Sequence, residues 1–365
     1  MSQYIFYGTP SKAPELIQFL RHMIQVNEKA AVQGQLMTPV CIWGRHGVGK
    51  TEIVGKLAED LGYDFVYIAP AQFEEMGDLL GMPGIEGGST VFHAPEWVPS
   101  KEGPGILLLD DVNRADDRIL RGIMQLLQKY ELVSWKLPSK WHIILTANPD
   151  GGDYSVTPMD DAMLTRMAHI SLEFDPDAWI EWAKENHIDQ RGIDFIKAYP
   201  EIVSGERTTP RTLVQFFQAL DGIDDLEQNL GLVRTLGDAC LDRETVSTFI
   251  GFIRESLGPL MDIGQLLGTK NFQDDVYVPL KSKIDREGFR VDILSMLGKR
   301  IMRFLEKREV GLSTLQKENL RHFLMIDFIP NDLRLKWVQQ LNGLQQQDLT
   351  QVITHPELVR RMLNK

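Results

Sequence analysis

Apolar positions along this chain follow one period up to about residue 175 and another beyond it. Between residues 38 and 175, short continuous apolar runs alternate with stretches of helical spacing. The runs are Pro39–Trp43, Phe65–Ala69, Ile106–Leu109, Ile143–Ala147 and Ile170–Phe174. Runs this short and this uniformly apolar suit strands covered on both faces, as in a parallel sheet with helical crossovers. The expected fold class is therefore α/β: a five-stranded parallel sheet in a three-layer sandwich with right-handed connections. Ahead of it, residues 11–33 read as an amphipathic helix, with Leu16, Phe19, Leu20, Met23 and Ile24 at helical spacing.

Past Asp175 only helical periodicity remains, in segments such as Arg211–Leu220, Thr245–Glu255 and Phe289–Glu309. The organisation expected is an N-terminal helical segment (1–37), an α/β domain (38–175), an α-helical domain (176–257) and a C-terminal helical extension (258–365). Gly258–Asp275, with its Gly, Pro and Asp content, reads as the connection between the last two. Two hairpins are expected within the α/β part. One is Gly84–Trp97, turning at Gly87-Gly88; the other pairs Leu132–Lys136 with Trp141–Leu145 across Leu137–Lys140. Lys299, Arg300, Arg303, Lys307 and Arg308 form a basic face expected to lie against an acidic neighbour, while Trp337 and Leu358–Leu363 read as core or subunit contacts.

Composition narrows the classes of partner. The 365 residues are 43% hydrophobic and 25% charged, as in an ordinary globular protein, and contain no apolar run long enough for a membrane span. The first residues carry neither a basic start nor an apolar run, so no signal peptide is expected. Cys41 and Cys240 lie far apart without metal-ligand spacing, which fits a reducing cytoplasm. Acidic residues outnumber basic ones 51 to 39, and the formal net charge of −12 repels nucleic acid and anionic lipid on average.

The chemistry-bearing stretch is Gly44-Arg45-His46-Gly47-Val48-Gly49-Lys50-Thr51, which matches GxxxxGK[ST]. It follows the apolar run ending at Trp43 and precedes a helix expected over Glu52–Leu61, the context this phosphate-binding loop requires. Glycines let backbone N–H groups and the helix N-terminus face the phosphates of ATP. Lys50 then reaches the β- and γ-phosphates and the Thr51 hydroxyl ligates Mg²⁺. Such a loop needs a carboxylate at the tip of a neighbouring strand. Gly105-Ile-Leu-Leu-Leu-Asp110-Asp111 supplies it, with Asp110 for the metal shell and Asp111 to polarise the attacking water.

Beyond this point the sequence resembles a known family. Asp110-Asp-Val-Asn-Arg-Ala115 is similar to the DEINRA stretch of MoxR-like AAA+ ATPases, and Gly77–Pro83 to the DLLG element that precedes an inserted hairpin. The resemblance covers about Thr38 to Leu220. It implies a sensor 1 role for Asn148, whose amide can hold the attacking water while donating to a phosphate oxygen. It implies an arginine finger at Arg166, entering a neighbouring subunit's site, and a sensor 2 role for Arg211 in Thr209-Pro-Arg-Thr212. Each has a plainer reading: an Asn-Pro turn, an Arg ending a helix, a Pro-led helix start. The resemblance also implies an ATP-hydrolysing, Mg²⁺-dependent chaperone in a homo-oligomeric, hexameric ring that remodels a protein partner, with a von Willebrand factor A-type protein as the class. Val91, Phe92, His93 and Trp97 are then candidates for contacting that partner; the plainer reading, and the commoner one for such residues, is that they pack the hairpin on its own domain.

Two departures from the family pattern stand out. Asp111 replaces a Glu, retracting the carboxylate by roughly 1.5 Å. Arg45-His46 replace a Pro-Pro pair in the loop, with His46 read as an exposed loop side chain. The short acid motivates an alternative, a slow-turnover nucleotide-dependent scaffold. A STAND-like signalling switch is a further alternative, but it expects Arg where Asn148 stands. A nucleic-acid motor is opposed by the net charge.

Overall fold

The computed structural model describes residues 5–150, 156–203, 206–255, 263–285, 291–308 and 310–363. The chain divides into two compact units: Met1–Trp182 with Thr209–Arg211, and Ala183–Thr208 with Thr212–Lys365.

The first unit is built on β1 (Thr9–Ser11), β2 (Val40–Trp43), β3 (Asp64–Ile68), a hairpin of β4 (Met82–Glu86) and β5 (Ser89–His93), β6 (Gly105–Leu109), β7 (Trp141–Ala147) and β8 (Ala168–Leu172). Its helices are α1 (Ala13–Val32), α2 (Lys50–Leu61), α3 (Met76–Leu80), α4 (Asp117–Lys129), α5 (Asp161–Leu164) and the start of α6 (Pro176–Glu185). The main sheet runs β1-β8-β2-β7-β6-β3, and every recorded pairing in it is parallel. All five expected strands are present. The sheet nevertheless has six, because Thr9–Ser11 adds to its β8 edge.

Alternation along the strands sends side chains to both faces. Cys41, Trp43, Leu107, Leu109, Ile143 and Leu145 point to one face and pack under Ile119, Ile123, Leu126 and Leu127 of α4. Val40, Ile42, Ile106, Leu108 and Ile144 point to the other, beneath Leu16, Leu20 and Ile24 of α1 and Val54, Leu57 and Ala58 of α2. Three layers result, as the apolar runs imply.

The hairpin expected at Gly87-Gly88 forms as β4–β5, with φ of 57° and 82° at the two glycines, the doubly positive turn that suits strand twist. The second expected hairpin does not. Trp141–Ala147 already has β2 on one side and β6 on the other, so neither edge is open to residues 132–136. Those residues close a local turn instead, with Leu132 N–H donating to Trp135 O at 2.8 Å and Leu137 N–H to Tyr130 O at 2.9 Å.

The second unit is helical: the end of α6, then α7 (Gln190–Ala198), α8 (Pro210–Ala219) from Thr212 on, α9 (Leu230–Cys240), α10 (Arg243–Glu255), α11 (Ile263–Gly268), α12 (Val278–Asp285), α13 (Val291–Lys307), α14 (Thr314–Leu324), α15 (Asn331–Gly343), α16 (Gln347–Ile353) and α17 (Pro356–Leu363). Phe195, Phe216, Phe217 and Phe249 form an aromatic core with ring centroids 5.0–6.0 Å apart. The expected connection Gly258–Asp275 begins outside the described residues. Within it Ile263–Gly268 forms a helix, with Leu266 and Leu267 fully buried, so apolar spacing outweighs the polar content there. Of the expected basic face, three residues meet acids within this unit: Lys299 with Glu244 at 2.8 Å, Arg300 with Glu201 at 2.6 Å and, just past α13, Arg308 with Asp348 at 2.8 Å, while the side chains of Arg303 and Lys307 lie outside the described residues. Trp337 and Leu358 are core. Among the described residues no helix is long and apolar enough to cross a membrane.

Candidate functional site

The carboxyl ends of three neighbouring strands, β2, β7 and β6, bring the phosphate loop, Asn148 and Asp110–Asp111 to one edge of the sheet. Open α/β sheets bind ligands at this edge. The loop passes directly into α2, whose first residue is Lys50. Gly49 caps that helix at φ 100°, a backbone strained for any side chain and free for glycine. Glu52 lies exposed in the first helical turn, where the dipole favours an acid.

Lys50 is only 5% exposed. Its Nζ donates to the carbonyls of Gly44 at 2.7 Å and Arg45 at 3.2 Å, and to Asn148 Oδ1 at 3.3 Å. Burial pushes its pKa down to about 8, opposed by the negative charge of Asp111 and Asp110. The same burial, with no thiolate-stabilising partner strong enough to offset it, drives the Cys41 thiol upward and keeps it inert.

Thr51 and Asp110 meet directly, Oγ1 donating to Oδ1 at 2.7 Å. Two more hydroxyls converge on that carboxylate: Thr146 Oγ1 on Oδ1 at 2.6 Å and Tyr67 OH on Oδ2 at 3.1 Å. Thr146 also accepts from the Asp111 N–H at 2.7 Å, so one buried hydroxyl ties both acids to β7. A hydroxyl oxygen beside a carboxylate oxygen is the hard donor set that suits Mg²⁺, and Thr51 and Asp110 would hold it. Asp111 lies at φ 46°, and its Oδ2 is 3.3 Å from Arg114 Nε. Aspartate tolerates this left-handed region better than most side chains, and such backbone concentrates at functional sites.

Asn148 is fully buried. Since Lys50 can only donate, the amide atom facing it is the oxygen, which leaves Nδ2 on the opposite side. Nδ2 has no partner among the described residues. An unpaired buried donor costs about 1–3 kcal/mol, which a phosphate or water oxygen would recover. Arg211 also belongs to this neighbourhood: its N–H donates to Gly47 O at 3.3 Å, and its charge bears on Lys50. Arg166 does not. It follows α5 with its guanidinium turned back onto the Ala162 carbonyl and Nε buried without a partner among the described residues. Arg45 and His46 are exposed on the loop, and Val48 is half-buried.

Sequence reasoning missed Thr146, Tyr67 and the role of Asn113. The signal for Thr146 was a lone hydroxyl in an otherwise apolar strand; Tyr67 and Asn113 gave none. Trp97 packs on its own domain, the plainer of its two readings: its indole donates to Asp78 O at 3.0 Å and its ring lies 5.8 Å from Phe73 and 5.3 Å from Trp135. Val91, Phe92 and His93 do remain exposed on the hairpin, beside Met82 and Ile85. A cavity of about 640 Å³ lies under that hairpin, lined by Phe73, Asp78, Met82, His93 and Trp97 and by none of the phosphate-loop residues.

Residues 39–167 match the AAA domain family, dynein-related subfamily. Midasin from Giardia intestinalis is 26% identical over 163 residues, covering 40% of this chain and 3% of that far longer protein. Among solved structures, a Thermotoga maritima RuvB mutant superposes with a TM-score of 0.41 at 14% identity, over 74% of this chain and 87% of that one. NtrX from Brucella abortus, in complex with ADP, gives 0.36 at 14% identity over 89% and 68%. The fold is the α/β P-loop fold of AAA+ proteins, followed by a helical region.

Proposed function

We propose that this chain hydrolyses ATP to ADP and phosphate as a MoxR-like AAA+ ATPase. In this reading it works in the cytoplasm as a homo-oligomeric ring, hexameric by family resemblance, and remodels or matures a protein partner. The observation that carries the proposal is the meeting of Thr51 Oγ1 and Asp110 Oδ1 at 2.7 Å, with Lys50 and Asn148 joined beside them.

The mechanism follows from what each side chain can donate or accept. Lys50 exchanges the Gly44 and Arg45 carbonyls for β- and γ-phosphate oxygens, a gain for a cation now bonded to neutral groups. Thr51 and Asp110 would hold Mg²⁺, which when bound neutralises charge on the phosphate oxygens. Asp111 accepts a hydrogen bond from the attacking water, and Asn148 Nδ2 donates to the water or the γ-phosphate. The water oxygen bonds to the γ-phosphorus, the bond to the bridging oxygen breaks, and ADP leaves with that electron pair. The water's proton passes by way of Asp111 to the phosphate product.

Arg166 is the arginine finger in this scheme, acting in the neighbouring subunit, which suits a guanidinium that among the described residues is bonded to a backbone carbonyl alone. Arg211 links nucleotide occupancy to the helical residues that follow it. The exposed apolar side chains of the β4–β5 hairpin, with Ile85 at 84% and Met82 at 62%, supply a surface for a protein partner of the von Willebrand factor A class. Asp111, one methylene shorter than Glu and paired to Arg114, supports low intrinsic turnover.

A finger supplied in trans makes activity depend on assembly. The ATPase rate per chain should rise with protein concentration, and Arg166→Ala should remove that rise while leaving ATP binding intact. A rate per chain independent of concentration refutes the ring mechanism.

A further inference from the structure

Asn113 is buried to 2% exposure in the turn that follows Asp111, and the phosphate chemistry proposed above leaves it without a role. Its amide grips the backbone of Asn148 from both sides: Nδ2 donates to Asn148 O at 2.8 Å, and Oδ1 accepts from Asn148 N–H at 3.1 Å. The two residues come from different strand ends, since Asn113 follows β6 and Asn148 follows β7. Asn148 sits on an Asn-Pro step, past the last paired residue of β7, so sheet hydrogen bonds do not hold it. The Asn113 carbonyl also accepts from Thr157 N–H at 2.7 Å, which anchors the turn from a third direction.

We propose that Asn113 is a positioning residue for ATP hydrolysis, aiming the unpartnered Asn148 Nδ2 by clamping the Asn148 backbone. The inference rests on the ATPase reading. A two-point clasp fixes both the position and the tilt of a peptide unit, which a single hydrogen bond cannot do. With the backbone fixed and Oδ1 held by Lys50, the direction of Nδ2 is determined. The clasp is also one turn from Asp111, so the group that accepts from the water and the group that donates beside it are set by a common element.

Testing this uses the full chain with Asn113→Ala, Asn113→Asp, Asn148→Ala and the Asn113→Ala/Asn148→Ala double variant. Steady-state ATPase gives kcat, and titration with a slowly hydrolysed fluorescent ATP analogue gives affinity. Asn113→Ala should lower kcat about tenfold to a hundredfold, the cost of misplacing a catalytic group by about an ångström. Analogue affinity should stay within about twofold. Asn113→Asp keeps the volume and the acceptor but sets a carboxylate against Asn148 O. It should lower kcat to a similar degree, and it decides the matter if the alanine variant fails to fold.

Because the two residues act through one another, the double variant should be no slower than Asn148→Ala alone. Multiplying losses would overturn the inference, as would wild-type kcat in both Asn113 variants alongside a loss in Asn148→Ala. In those cases the ATPase reading survives. Wild-type turnover at background would overturn that reading, and this inference with it.

Discussion

Among the described residues each unit of the molecule buries a cation, Lys50 in one and Arg334 in the other, and the two are buried for different ends. In the helical unit, Arg334 is 1% exposed. It donates to the carbonyls of Leu324 at 2.7 Å, Ile326 at 2.8 Å and Ile329 at 3.0 Å, with Asn331 Oδ1 as a further partner. Those carbonyls lie at and just past the end of α14, where a helix leaves acceptors unsatisfied. The planar fork closes the end of the helix, and every recorded bond is local. In the α/β unit, Lys50 is buried almost as deeply. Its partners are a loop it belongs to and an amide 98 residues away, and two carboxylates stand close enough to shift its pKa. Burial of a charge therefore says little by itself. Function shows in whether the surrounding groups form a closed set or leave valence open toward one point, as Asn148 Nδ2 does.

The two cations part most clearly when each is replaced by an apolar chain that keeps the shape of its stem. Lys50→Met should lower kcat/KM for ATP by about a thousandfold, roughly 4 kcal/mol, because a preorganised charge on the phosphates disappears. It should leave Tm unchanged or raised, since a desolvated charge is replaced by an apolar chain. Arg334→Met should do the reverse, costing about 3 kcal/mol of stability by leaving three carbonyls without their donor. Its affinity for a fluorescent ATP analogue should match wild type at temperatures where it is folded. Equal losses of activity in both, measured on folded protein, would erase the distinction.

The same contrast explains what could be read from the sequence. Strands β2, β6 and β7 were legible because burial on two faces leaves unbroken apolar runs, and β8 and the edge strand β3, with Phe65 and Tyr67 exposed, keep enough apolar residues to show the same pattern. Thr9–Ser11 has no such signature; pairing with β8 alone makes it a strand. Residues 132–145 looked like a hairpin because a Pro-containing turn separates two apolar stretches, but the neighbours of β7 were already set by long-range order. In the site, Lys50, Thr51 and Asp110 are legible because their spacing is the chemistry. Thr146, Tyr67 and Asn113 act only because β6 becomes the neighbour of β7 and β3, and no local pattern encodes that adjacency. Arg334 was silent for a related reason: its acceptors are backbone carbonyls, which every sequence has.

The smallest effect in this series concerns protons, and its sign separates a working cation from a structural one. Lys50 has an ordinary pKa of 10.5 that burial lowers to about 8 in the folded chain without nucleotide. Below pH 8 it is charged in both folded and unfolded chains, and the folded state bears the cost of burying that charge. Between pH 8 and 10.5 the unfolded chain holds the proton and the folded chain has lost it, so the Lys50 contribution to stability rises with pH. Triphosphate favours the ammonium, so binding in that window must take up a proton, and affinity falls with pH by up to about tenfold per unit, about 1.4 kcal/mol. Titrating the fluorescent ATP analogue at pH 7.5, 8.5 and 9.5 should show a plateau and then this decline. Lys50→Met should bind weakly and without the decline, and Arg334→Met should retain the wild-type profile. An affinity that stays level through pH 9.5 in the wild-type chain would mean that Lys50 keeps its proton throughout, and that its burial resembles that of Arg334 after all.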